Sequence, residues 1–406
     1  MHTETEARPE VKTQLQKVVD AGRLPGAVTL AWRNGETQIA CAGLRDIEAN
    51  LPVERDTLFR IASMTKPITS VATLMLADEG RITLADPISR YAPEFSHMRV
   101  LRSPNGALDE TAPAERPITF EDLLTHRAGF SYADFHRGPI AQAYRDALGG
   151  EIDSDVAPDE WIERLAQLPL IGQPGSAMYY GCSADLLGFL IARIEGASLG
   201  AVFKRRIFDP LGMKDTSFLV PRGKRARRAA AYGFDEQGRL TKRVSRSGVF
   251  AEERPEDMAY ESGGAGLWST LDDYSNFARL FLGDGTVDGV RLLRPETLAA
   301  MMTNQLTDSQ RVNPEWLGLK PGRGFGLGVS VVLEREKADF MRRGSVGTVS
   351  WPGAFGGWWQ ADPREGTVMI FLAHNMVDLA QMAKGIGLGV WEAIDTFQTI
   401  ASVSRA

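Results

Sequence analysis

The chain has 406 residues, enough for a large core and, at usual domain sizes, for two compact lobes. Apolar residues make up 43% and charged residues 24%, ordinary proportions for a globular protein rather than a disordered or fibrous one. A net charge of −6 argues against nucleic acid as the main partner.

The first residues, Met1-His2-Thr3-Glu4-Thr5-Glu6, are acidic and polar, so no signal peptide is expected. Only Cys41 and Cys182 are present, and neither belongs to a C-x-x-C pair; a reducing, cytoplasmic setting is the simpler expectation. Residues 9–21 set Val11, Leu15, Val18 and Val19 among charges, which predicts an amphipathic helix starting near Pro9. Ala27 to Trp32 and Thr37 to Cys41 flank Asn34-Gly35, the strongest short-range hairpin signal. Next comes Ile61-Ala62-Ser63-Met64-Thr65-Lys66-Pro67-Ile68, followed by Val71, Ala72 and Met75 at helical spacing and by Gly80 as a stop. Ser63 is therefore expected at the mouth of a buried helix, with Lys66 on the same side. A hydroxyl there faces the positive end of a helix dipole and a cation, as a serine nucleophile requires. Pro67 fits only if the helix has just begun.

Tyr91 to Arg116 reads as loop. Thr119-Phe120-Glu121-Asp122 predicts a capping box and a short helix ended by Gly129. Pro158 to Leu168 and Asp185 to Glu195 predict two more helices, the second closed by Gly196. The basic run Arg222, Lys224, Arg225, Arg227 and Arg228 reads as a solvated face. Strand signals return at Phe325 to Leu333, Thr348 to Trp351, Gly357 to Ala361 and Thr367 to His374. A last helix is expected from about Asp378 to Ala401, its glycines at 385, 387 and 389 allowing close packing. No segment approaches the ~18 uncharged apolar residues of a membrane span, so no membrane partner is expected. The resulting fold class is α+β: residues 1–90 and 256–406 form an antiparallel sheet with flanking helices, and residues 91–255 form a mainly helical domain. The site is expected in the cleft between them.

Ser-x-x-Lys alone occurs about once by chance in a chain of this length. Two further stretches give it weight. Tyr179-Tyr180-Gly181-Cys182 supplies a phenol for a general base, and an ammonium beside it favours phenolate. Trp351-Pro352-Gly353-Ala354 lies between strand signals, and Pro352 demands an edge or a bulge. The glycine would let a substrate approach closely, and the N–H of Ala354 could join that of Ser63 as an oxyanion hole.

In this order and spacing the chain resembles the serine β-lactamase and penicillin-binding-protein superfamily, most closely the class C β-lactamase-like family VIII carboxylesterases. The resemblance rests on Phe59-Arg60-Ile61-Ala62-Ser63-Met64-Thr65-Lys66 and on Ile118-Thr119-Phe120-Glu121-Asp122-Leu123-Leu124-Thr125-His126-Arg127-Ala128-Gly129. Pro174-Gly175 before the tyrosines, Pro210-Leu211-Gly212-Met213 with Thr216, Gly324-Phe325-Gly326-Leu327-Gly328 and Asp362-Pro363 extend it over nearly the whole chain. It implies a β-lactamase-like fold, Ser63 as the acylated nucleophile, Lys66 as its proton partner and Tyr180, rather than Tyr179, as the base. It also implies a small-molecule ester as substrate. The five histidines include no H-E-x-x-H or similar metal spacing, and there is no Walker loop or dinucleotide fingerprint, so no metal and no cofactor are expected. Two departures matter. The asparagine that β-lactamases place two residues after the tyrosine is Cys182, and their Lys-Thr-Gly is Trp351-Pro352-Gly353. Losing a charge-assisted contact worth ~1.5–3 kcal/mol weakens recognition of an anionic substrate. Trp351, Gly353 and Cys182 are accordingly expected against an uncharged acyl or alcohol group.

Gly196-Ala197-Ser198-Leu199-Gly200 matches a nucleophile elbow, and Asp362 and His374 follow in the right order, but a helix rather than a strand precedes Ser198. His126 is expected to be a buried, hydrogen-bonded histidine. The expected activity is carboxylester hydrolysis. Weak β-lactamase, D-amino-acid peptidase or amidase, and acyltransferase activities share its acyl-enzyme, and the non-enzymatic alternative is an acylated sensor without turnover. Oligomeric state is open from sequence.

Overall fold

Asn34 and Gly35 turn the chain with φ of 49° and 89°, both in the left-handed region that a two-residue hairpin needs. The strands on either side, Gly26–Arg33 and Glu36–Asp46, are the N-terminal part of a nine-stranded sheet. The computed structural model describes residues 3–6, 9–150, 152–244, 256, 258–311, 322–337, 343–376 and 378–402. Across the sheet the order is Thr3–Glu6, Glu36–Asp46, Gly26–Arg33, Thr367–Ala373, Trp358–Asp362, Val349–Pro352, Ser330–Val332, Arg323–Phe325, with Leu51–Pro52 also paired to Glu36–Asp46. Both ends of the chain therefore build one sheet. Its pairs are antiparallel except for Thr3–Glu6, which runs parallel to Glu36–Asp46.

Period-two alternation divides the sheet between two cores. In Thr367–Ala373, Val368, Ile370 and Leu372 face one core, and Met369, Phe371 and Ala373 face the other. The smaller core is covered by helices Pro9–Asp20 and Gly389–Ser402 through Val11, Leu15, Ile394 and Phe397. The larger core holds helix Thr65–Asp78, which is buried on nearly every side, and helix Leu271–Ala278. Each large apolar side chain buried here contributes about 1.5–3 kcal/mol.

Residues 91–244 carry helices at Phe120–Leu124, Pro139–Leu148, Pro158–Ala166, Ser183–Glu195 and Leu199–Phe203. The capping box forms as expected: Thr119 accepts from the N–H of Asp122, whose carboxylate accepts from the N–H of Thr119. Inside the stretch expected to be loop, Arg99–Leu101 pairs with Thr111–Pro113. The larger core continues without a break from Ile370 through Ile68 and Leu74 to Leu186 and Leu190. The sheet and the helices of this stretch thus share one apolar interior, to which helix Thr65–Asp78 contributes. The expected boundary at residue 255 lies outside the described residues.

Two elements differ from expectation. The run Phe325 to Leu333 is two strands, because Gly328 at φ 91° turns the chain between Arg323–Phe325 and Ser330–Val332. The helix expected from Asp378 to Ala401 is broken into Leu379–Met382 and Gly389–Ser402. Gly385 and Gly387, at φ 79° and 81°, end the first turn rather than pack it. Gly389 alone of the three makes a close approach: a Cβ there would lie 2.6 Å from the carbonyl oxygen of Arg23.

Candidate active site

The strand Phe59–Arg60 pairs with Trp268–Ser269, and the N–H of Ile61 donates to the carbonyl of Leu267 at 2.9 Å. The chain then turns sharply. Ala62 sits at φ 45°, a conformation that costs a residue with a Cβ about 1–2 kcal/mol. Ser63 follows inside a 3₁₀ turn, Ala62–Met64, and the α-helix begins only at Thr65. Ser63 therefore precedes the helix instead of occupying its first turn. Lys66 and Pro67 are the second and third helical residues, where a missing proline N–H breaks no ladder.

The fold brings Ser63, Lys66 and Tyr180 together. Lys66 Nζ donates to Ser63 Oγ at 3.1 Å, to the Tyr132 hydroxyl at 3.1 Å and to the carbonyl of Gly264 at 2.9 Å. The Tyr180 hydroxyl lies 2.8 Å from Ser63 Oγ, and Lys66 Nζ is 4.7 Å from the centre of its ring. Tyr179 goes elsewhere: its ring packs over Gly172, where a Cβ would meet its hydroxyl at 2.5 Å. His126 is buried and structural. It sits at φ 55°, its carbonyl accepts from the N–H of Tyr179, and its Nδ1 accepts from the N–H of Gly181 at 3.4 Å. Burial, with the Lys66 ammonium adding to it, holds the imidazole well below the usual histidine range. Gly181 is as tightly held, since a Cβ there would lie 2.3 Å from Ser131 Cα.

The third stretch behaves differently from expectation. Val349–Pro352 is an interior strand, but its partner Ser330–Val332 ends opposite Ser350, so Trp351 and Pro352 pair only with Trp359 and Trp358. Proline is tolerated because that edge is locally open. Trp351 does not stand at an exposed rim. It is 7% exposed, its indole N–H donates to the Tyr180 hydroxyl at 3.3 Å, and its ring lies 5.3 Å from that of Tyr180 and 5.2 Å from Phe325. The space at Gly353 is taken by the protein itself, not left for a substrate: a Cβ there would lie 2.4 Å from the carbonyl oxygen of Ile61. The missing side chain lets the hairpin rest on the Ser63 turn. Ala354, next in the hairpin, is exposed. Among the described residues neither its N–H nor that of Ser63 has a protein acceptor, which leaves both able to hold an oxyanion. Cys182 is a correction. It forms the N-cap of helix Ser183–Glu195 and is 2% exposed in the larger core, so it does not line a substrate surface.

Sequence reasoning missed Tyr132 and Asp185. The Tyr132 hydroxyl donates to Asp185 Oδ2 at 2.9 Å, and Asp185 Oδ1 accepts from the Ser262 hydroxyl and from the N–H of Gly264 at 3.0 Å. Burial pushes the Asp185 carboxyl up, against the Lys66 charge and these hydrogen bonds. Asp185 resembles any acid favoured in a first helical turn, so only its complete burial marks it. The elbow motif is a helix–turn–helix: Gly196 is a left-handed C-cap, Ser198 caps the next helix and is exposed, and Asp362 holds a turn between strands. Among the described residues no three of His, Cys, Asp and Glu gather to hold a metal ion.

The beta-lactamase family model matches residues 11–387. Protein Rv1367c of Mycobacterium tuberculosis is 44% identical over 91% of this chain and 90% of its own. Esterase EstB of Burkholderia gladioli is 33% identical over 87% of this chain and 86% of its own. Among solved structures, EstCE1, described as a hydrolase with promiscuous acyltransferase activity, superposes with a TM-score of 0.77 at 26% identity, covering 95% of this chain and 98% of its own.

Proposed function

The chain belongs to the beta-lactamase family, and from that premise we propose that it hydrolyses short-chain, uncharged carboxylic esters through an acyl-enzyme on Ser63. One observation carries the proposal: Ser63 Oγ lies between the Lys66 ammonium and the Tyr180 hydroxyl, and the Trp351 N–H points at the Tyr180 oxygen.

Tyr180, as phenolate, takes the proton of Ser63 while Oγ attacks the ester carbonyl carbon. The carbonyl π electrons move onto oxygen, which the N–H groups of Ser63 and Ala354 receive. Collapse expels the alkoxide, and it takes the proton back from Tyr180. Water then gives a proton to Tyr180 and attacks the acyl carbon. The second collapse expels Ser63 Oγ, which is reprotonated by Tyr180 as the acid leaves. Lys66 stays a cation throughout and favours the phenolate. Trp351 donates one N–H where a Lys-Thr-Gly motif would offer an ammonium, so a carboxylate on the substrate gains no counter-ion from this position.

The acyl-enzyme is common to hydrolysis and acyl transfer, and the description of EstCE1 joins the two. Transfer to an added alcohol is therefore the second reading. Steady-state turnover of p-nitrophenyl acetate, with nitrocefin beside it, tests the proposal. Sustained ester turnover with much slower nitrocefin hydrolysis is expected. A single stoichiometric burst would leave an acylated sensor, and equal rates would remove the argument from Trp351.

A further inference from the structure

The proton directions around Lys66 allow a step beyond the esterase reading, on which this inference rests. Lysine ammonium has three donors, and each has a partner here: Ser63 Oγ, the Tyr132 oxygen and the carbonyl of Gly264. The Gly264 carbonyl can only accept. A phenol has one proton, and that of Tyr132 goes to Asp185 Oδ2 at 2.9 Å. Its lone pairs are left to face Lys66. Asp185 is fully buried in the first turn of helix Ser183–Glu195, and its other oxygen accepts from the Ser262 hydroxyl and the Gly264 N–H. Gly264 thus serves twice: its N–H binds Asp185 and its carbonyl binds Lys66.

We infer that Asp185, acting through Tyr132, is the positioning residue that keeps Lys66 an ammonium aimed at Ser63, so that the proton acceptor for Ser63 is Tyr180 and not Lys66. A neutral amine would need a donor to its lone pair. Tyr132 has committed its proton, Gly264 has none to give, and the Ser63 hydroxyl can turn its proton to the Tyr180 oxygen at 2.8 Å instead. The charged and titratable groups around the ammonium are Asp185, Tyr132 and Tyr180, with His126 near enough for Lys66 to depress its protonation. His126 is held neutral by burial, which leaves Asp185 as the anion of the group. Burial pushes the Asp185 carboxyl up, but three donors and the ammonium oppose that shift.

The test compares Tyr132→Phe, Asp185→Asn and the double variant with the parent and with Ser63→Ala, on p-nitrophenyl acetate across pH. In Asp185→Asn the amide Nδ2 would donate to Tyr132, turning the phenol proton toward Lys66 and disfavouring the ammonium. Each single variant is expected to lose about 10- to 100-fold in kcat, the worth of a hydrogen bond to a charged group, with KM within about threefold. The alkaline limb of kcat should move to lower pH in both. The double variant should be no slower than the worse single variant by more than about threefold, because the two residues act in series. Folded single variants that keep kcat and the parent pH profile, while Ser63→Ala is inactive, would overturn the inference. So would a fall in kcat with no movement of the alkaline limb, or fully additive losses. If Asp185→Asn does not fold, Tyr132→Phe decides alone, since phenylalanine keeps the ring. Turnover persisting in Ser63→Ala would instead defeat the esterase reading itself.

Discussion

Gly353→Ala tests whether the hairpin places the second oxyanion donor. The backbone of Gly353 is not in the left-handed region, so alanine adds no conformational strain of its own. The new Cβ would lie 2.4 Å from the carbonyl oxygen of Ile61, and contacts under 3.0 Å are essentially not made, so the hairpin must retreat by at least about 0.6 Å. Ile61 is held on the far side by its own N–H to the Leu267 carbonyl, so the hairpin rather than the Ser63 turn should move. Ala354 moves with it. Removing one oxyanion donor costs about 10²–10³ in kcat, and a misplacement of ~1 Å can cost 10². The expected loss is about 10- to 100-fold in kcat for p-nitrophenyl acetate, with KM within about threefold because the ground-state carbonyl gains little from the donor. Overpacking should also lower stability by about 1–3 kcal/mol, so rates belong well below the melting midpoint, with folding checked by circular dichroism. A folded variant with kcat within twofold of the parent would refute the claim that Ala354 holds the oxyanion.

Three other outcomes are expected. Tyr180→Phe should lower kcat by about 10²–10⁴, the usual worth of a general base, and Tyr179→Phe should lower it by less than about tenfold; the reverse ranking in the same ester assay would move the base by one residue. Trp351→Phe keeps a ring against Tyr180 and Phe325 but removes the N–H to the Tyr180 oxygen. It should cost about 10-fold in kcat with KM within about threefold, and an unchanged kcat in the folded variant would contradict that role. His374 donates Nδ1–H to the carbonyl of Ala229 and is packed between Trp268 and Phe355. Burial, aided by the Arg60 charge, pushes it down to about 3. Above the unfolded value near ~6.5 the two states bind equal protons and this residue adds no slope. As pH falls from there toward 3 the unfolded chain takes up a proton that the folded one refuses, and stability drops by up to about 1.4 kcal/mol per pH unit. His126 acts in the same direction. Urea unfolding at pH 7.5, 6.5 and 5.5 should show His374→Phe with a slope flatter by about one proton below pH 6.5. Identical slopes in the two proteins would contradict the assignment.

Much of the scaffold was legible because its signals are local. Asn34-Gly35, the Thr119 capping box, Gly196 as a left-handed cap and the alternation of Thr367–Ala373 each specify their own conformation. The Ser63 and Lys66 pair was legible as a spacing, whereas the 3₁₀ turn and the left-handed Ala62 were not, since both depend on Leu267 and on the hairpin at Gly353. Gly353 looked like room for a substrate because a sequence does not show which backbone comes near a missing side chain. Cys182 and Trp351 were placed against the substrate by motif position, and burial moves both inward. Tyr132 and Asp185 lie 53 residues apart and carry no periodic signal; only the fold brings them to Lys66.

In the proposed mechanism Ser63 carries the acyl group. Rapid acid quench during p-nitrophenyl acetate turnover, followed by peptide mass spectrometry, measures it directly. An acetyl group on the peptide containing Ser63, lost on standing without substrate and absent from Ser63→Ala, is the predicted result. An acetyl group on the peptide containing Ser198, or full turnover by Ser63→Ala, would contradict the account.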